Sequence, residues 1–159
     1  MKKGIIFLLV VVLLSAFLTG CGNRNTSTAY THEDLTITLP ADFIDLSEQD
    51  FAAELSFIYG LDPITVNGLR EPKSTFAAYG LDVDLERYGQ LLISGNNVQA
   101  KLERKDDILF FTYTVNGFSY VVTLWESEDA FWMVQAYCPT ETYNKAKSDI
   151  WNILSSVTV

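Results

Sequence analysis

The chain has 159 residues, 48% hydrophobic and 13% aromatic, with 20 acidic against 11 basic side chains and a formal charge of −9. That length suits one domain with one core, and so acidic a balance repels nucleic acid and anionic lipid alike. One histidine and two cysteines supply neither a zinc cluster nor a disulfide framework.

Lys2 and Lys3 precede an apolar run from Ile5 to Phe17, followed by Leu18-Thr19-Gly20-Cys21. A short positive region, a short apolar core and small residues before a cleavage point predict a secretory signal peptide over 1–20. The run falls short of the roughly 20 apolar residues a membrane span requires. Leu18-Thr19-Gly20-Cys21 resembles the lipobox of bacterial lipoproteins. The resemblance implies cleavage before Cys21 and lipid attachment to it, which places the chain at the cell membrane on its extracytoplasmic side. Loss of Lys2 and Lys3 deepens the negative charge by two. Residues 21–31, small and polar after the cysteine, read as a flexible tether, and ten such residues span roughly 17 Å root-mean-square. His32 stands where tether meets domain and reads as a solvated or capping residue.

Residues 32–159 read as a single α+β domain. Leu35, Ile37 and Leu39 alternate with threonines up to Pro40, a half-buried strand. Ser47–Asp50 is helix-like, and Ala53 to Leu61 fits either a helix or a strand, with a strand from about Glu54 favoured by the Asp62-Pro63 turn. Ile64–Leu69 continues as a strand, and 72–80 reads as loop. Asp82 or Asp84 caps a helix reaching about Ser94, with Leu85, Tyr88, Leu91 and Leu92 on one stripe. Val98, Ala100 and Leu102 alternate as a strand.

Ile108–Val115 and Phe118–Trp125 flank Asn116-Gly117, the strongest short-range hairpin signal. The turn predicts the pairs Val115–Phe118, Tyr113–Tyr120, Phe111–Val122 and Leu109–Leu124, all on one greasy face destined for the core. The other face, with Phe110, Thr123 and Trp125, is more mixed and only partly covered. Ala130–Tyr137 forms the next strand. Gln135 should avoid the greasy face, which puts Trp132, Val134 and Ala136 on it and Met133 and Tyr137 opposite. Thr140 caps a closing helix with Tyr143, Ala146, Ile150 and Ile153 on its stripe. Cys138 reads as a small buried hydrophobe.

An antiparallel meander flanked by helices is an α+β arrangement. Ile37–Phe43, the mid-chain helix, the aromatic meander around Phe131-Trp132, and the closing helix with Ser156–Val159 together resemble the PsbP-like fold, which also houses DcrB-type bacterial lipoproteins. That resemblance implies an α/β/α sandwich and an accessory or binding role.

Chemistry is sparse. The sole histidine has no partner for a triad or a Cys–His pair, no phosphate loop or dinucleotide fingerprint occurs, and no cofactor is expected. Asp82-Val-Asp84-Leu-Glu86 begins like a calcium loop, but Arg87 replaces the glycine of its sharp turn. In a meander alternate turns share one end. Asp106 and Asp107 therefore join Glu126, Glu128 and Asp129 across roughly 10 Å, two strand spacings, as a candidate cation or partner-binding rim. The expected function is a non-enzymatic accessory or interaction module for another envelope protein, the alternative a small-ligand or cation-binding lipoprotein.

Overall fold

Turn chemistry sets the centre of the molecule. Asn116 and Gly117 both take positive φ, 50° and 81°, as a type I′ hairpin requires. In the computed structural model, which describes residues 26–49 and 54–159, the hairpin has the predicted register, from Val115–Phe118 to Leu109–Leu124.

The elements in chain order are β1 (Ser27–His32), β2 (Leu35–Pro40), β3 (Ile44–Asp45), β4 (Phe57–Leu61), β5 (Ile64–Pro72), α1 (Lys73–Ala78), α2 (Leu85–Gly95), β6 (Glu103–Lys105), β7 (Ile108–Val115), β8 (Phe118–Glu126), β9 (Ala130–Pro139) and α3 (Tyr143–Leu154). Seven strands form an antiparallel sheet ordered β3-β4-β5-β9-β8-β7-β6, and β1–β2 form a separate ribbon. The architecture is α+β, in three layers.

One face of the sheet packs against α3 and the ribbon. Leu35, Ile37 and Leu39 of β2 are fully buried, as the period-2 pattern predicts, together with Ile150 and Leu154 of α3 and Val121, Trp132, Val134 and Ala136 of the sheet. Burying each of the valine, leucine and isoleucine side chains contributes roughly 1.5–3 kcal/mol. The opposite face meets α1 and α2, with Tyr88, Leu109, Phe111, Val122, Leu124 and Phe131 buried. Asp84 caps α2, its carboxylate accepting from the Arg87 N–H at 2.7 Å. Gly89 lets α2 approach closely: a Cβ there would lie 2.6 Å from Leu124 Cδ1.

Several expectations require correction. Ser27–Thr31, read as tether, pair residue for residue with Thr36–Pro40 as part of β1; threonines and Tyr30 suit a strand edge as well as a linker. Residues 73–78, read as loop, form α1, held by Phe76 against Tyr88 and Phe131. Residues 98–102 are irregular, and the strand is β6 instead, although Val98, Ala100 and Leu102 still pack on the α2-side core. Trp132, Val134 and Ala136 lie on the face opposite Leu109–Leu124, because Met133 pairs with Leu124 and Gln135 with Val122. The mixed face is the covered one: Phe110 meets Trp151 of α3 edge-on at 5.0 Å. The expected signal peptide over 1–20, Cys21 with the rest of the segment to 25, and residues 50–53 lie outside the described residues.

Candidate functional site

The β6–β7 and β8–β9 turns lie at one end of the sheet, so the five nominated carboxylates share that end. Glu126, Glu128 and Asp129 line one concavity there with Asp34, and Asp106 and Asp107 are not part of it. Glu126 pairs with Lys73 Nζ at 2.8 Å and Asp129 with Arg70 Nη2 at 2.8 Å. Asp106 sits in the β6–β7 turn with φ 51°. Among the described residues no three acidic, histidine or cysteine side chains are arranged to hold a metal ion.

Arg70 organises this end instead. Its Nε also reaches Glu33 at 3.0 Å and Asp34 at 3.3 Å, tying the β1–β2 turn to the sheet. Lys73 donates to the Ser127 and Glu128 carbonyls at 2.8 and 3.2 Å. Opposite charges held by hydrogen bonds within the fold make Arg70 and Lys73 a clasp across this end.

A more open feature lies on the α2 side of the sheet. The helix covers the Leu109–Leu124 end and stops short of the Asn116-Gly117 end. There Tyr113, Tyr120 and Tyr137 stack across three strands, with centroids 4.6 and 4.9 Å apart. All three are half-buried, and Phe118 is exposed beside them, so this row is not the closed core that its greasy pattern predicts. Burial, then the neighbouring Tyr120, pushes the Tyr113 hydroxyl up to about 12. Burial and Tyr137 likewise raise Tyr120. At neutral pH these hydroxyls are uncharged donors.

Between this row and the end of α2 is a cavity of about 210 Å³, lined among others by Leu92, Asn96, Tyr113, Val122, Met133 and Gln135. Gln135 pairs across to Asn67 on β5, so the two amides share a face. Asn67 is buried, and its Oδ1 has no hydrogen-bond partner among the described residues. Sequence reasoning nominated neither amide for a site and turned Gln135 away from the Leu109–Leu124 face on which it lies. The signal was a polar residue within each of two strands, Gln135 alone among the apolar residues of β9, meaningful only once the register aligned them.

His32 is half-buried. Its ring stacks on Phe57 at 4.5 Å, and Nε2 lies 3.1 Å from the Tyr59 hydroxyl. Cys138 is fully buried in the core facing α3.

This arrangement, an antiparallel sheet between helices with a hairpin ribbon alongside, is the PsbP-like fold. Similar solved structures are the cyanobacterial PsbP (CyanoP) of Synechocystis sp. PCC 6803, with a TM-score of 0.58 and 10% identity over 88% of this chain and 95% of that one, and the Ran-binding protein Mog1p of Saccharomyces cerevisiae, with a TM-score of 0.50 and 11% identity over 84% and 95%. No protein-family model matches the sequence, and no curated protein matches it. At such identities the likeness is one of fold alone.

Proposed function

We propose that this chain is an extracytoplasmic lipoprotein, anchored to the cell membrane through lipid on Cys21, whose domain is a non-enzymatic interaction module for another envelope protein. Among the described residues no helix is long and apolar enough to cross a membrane, so attachment in this reading rests on the lipobox-like Leu18–Cys21.

The half-covered α2 face carries the interaction reading. Its cavity of about 210 Å³ is smaller than the roughly 300–1,000 Å³ of small-molecule sites. It suits one anchoring side chain of a protein partner, flanked by amides and neutral tyrosine hydroxyls that satisfy a partner's polar groups. Mog1p, of similar fold, is a Ran-binding protein, which supports protein recognition without indicating this chain's partner.

A photo-crosslinking residue at position 135, in membranes of the native cell, tests the reading. A discrete adduct with one envelope protein, missing when the crosslinker sits at exposed Gln90 on α2, is expected. Identical adducts from both positions, or none from position 135, would overturn it.

A further inference from the structure

The two ends of the sheet differ in chemistry. One carries the Arg70 clasp with Glu33, Asp34 and Asp129, together with the turn carboxylates Asp106, Asp107 and Glu128. The other carries four of the seven exposed large hydrophobics among the described residues: Ile44 at 62%, Val115 at 42%, Phe118 at 38% and Leu61 at 36%. Ile44, Leu61 and Phe118 line one shallow concavity of about 600 Å³ together with Pro63 and Pro139. Val115 is the cross-strand partner of Phe118. This is a contiguous apolar patch rather than scattered surface residues.

The chain enters at this same end. Strand β1 runs from Ser27, opposite Pro40, to the Glu33-Asp34 turn that Arg70 clamps at the acidic end. Thr26 therefore lies at the apolar end, where its carbonyl accepts from the Ala41 N–H at 3.0 Å, and Asp42 and Ile44 follow into the patch. Cys21 precedes Thr26 by five residues, a span of at most about 18 Å fully extended. The ten residues of β9 extend about 33 Å, so the tether is too short to present the acidic end to the lipid without passing the apolar one.

We infer that the Ile44–Leu61–Val115–Phe118 end rests on the lipid surface, as a second, non-covalent membrane contact; the inference depends on lipidation of Cys21. Phe118 and Val115 form the tip. Contacts of this kind bury apolar side chains about 5–10 Å into the interface. Asp42 and Asp62 border the patch, which favours zwitterionic over anionic lipid. The acidic end then points away from the membrane.

Mature lipidated protein in phosphatidylcholine vesicles, carrying an environment-sensitive fluorophore at Ile44→Cys, Phe118→Cys or Asp107→Cys, tests the orientation with doxyl-labelled lipid as quencher. The labels at 44 and 118 should be quenched several-fold more than the label at 107, and less so in phosphatidylglycerol vesicles. Equal quenching at all three positions, in protein that floats with the vesicles, overturns the orientation alone. Labels at 44 and 118 shielded from aqueous iodide yet unquenched by lipid assign the patch to a protein contact and also overturn it. Protein that fails to float with vesicles overturns the anchor and the orientation together.

Discussion

Asp34, in the β1–β2 turn, accepts the indole N–H of Trp132 at 2.8 Å, joining the tip of the ribbon to the most central strand of the sheet. Trp132 is fully buried, so its N–H needs an acceptor within the fold. Partial burial pushes the Asp34 carboxyl upward, but hydrogen bonds from Ser127, Trp132 and Arg70 outweigh it and hold the pKa down at about 2.

A depressed folded-state pKa stabilises the protein above the unfolded value, near pH 4, and that contribution is lost as pH falls through about 2. Asp34→Asn should therefore cost about 1–2 kcal/mol at neutral pH, after allowance for solvent at its part-exposed side chain. The gap to wild type should close on approach to pH 2. Urea denaturation across pH measures this; a gap constant with pH would contradict the ionic origin.

The His32 imidazole behaves in the same direction for a different reason. Burial against Phe57 and Tyr59 lowers its pKa below 6.5, with Asp45 pulling the other way. Stability should therefore hold above pH 6.5 and decline as pH falls through the lowered folded value, since the unfolded chain binds the proton more readily. His32→Phe should flatten that decline while losing the Tyr59 hydrogen bond, worth about 0.5–1.5 kcal/mol. An unchanged slope between pH 6.5 and 5 would remove His32 as the cause.

The hairpin turn gives a sharper contrast. Gly117 at φ 81° occupies a region that a β-branched residue enters only under strain, so Gly117→Val should cost about 1–3 kcal/mol. Asn116→Gly keeps positive φ accessible and should be far milder. Thermal melts giving equal losses would contradict the turn assignment.

The central hairpin, the Asp84-capped helix and the apolar stripe of α3 were legible because each is set by local chemistry: an Asn-Gly turn, a capping carboxylate, a 3.6-residue period. Facing was less legible. Both sides of this sheet are buried over much of their area, so Gln135 could not tell one side from the other, and a polar residue tolerated beside an uncovered stretch was read as avoiding the core. The ribbon strand Ser27–His32 was hidden because Thr and Ser suit both linkers and exposed strands, and only pairing with Leu35–Pro40 decides. The nominated carboxylates share one end of the sheet, but Arg70 and Lys73, which pair with Asp129 and Glu126, reach it from β5 and α1, distant in sequence, and no local pattern announces them. The amides Asn67 and Gln135 lie far apart in the chain and became neighbours only through the β5–β9 register.

Attachment through Cys21 is the claim on which the functional reading turns, and mass analysis of the mature N-terminus with detergent-phase partitioning tests it most directly. The account predicts a chain beginning at a lipid-bearing Cys21 that enters the detergent phase, and a Cys21→Ser protein that is left uncleaved or released to the soluble fraction. An unmodified Cys21 in the mature protein, or partitioning unchanged by Cys21→Ser, would contradict it.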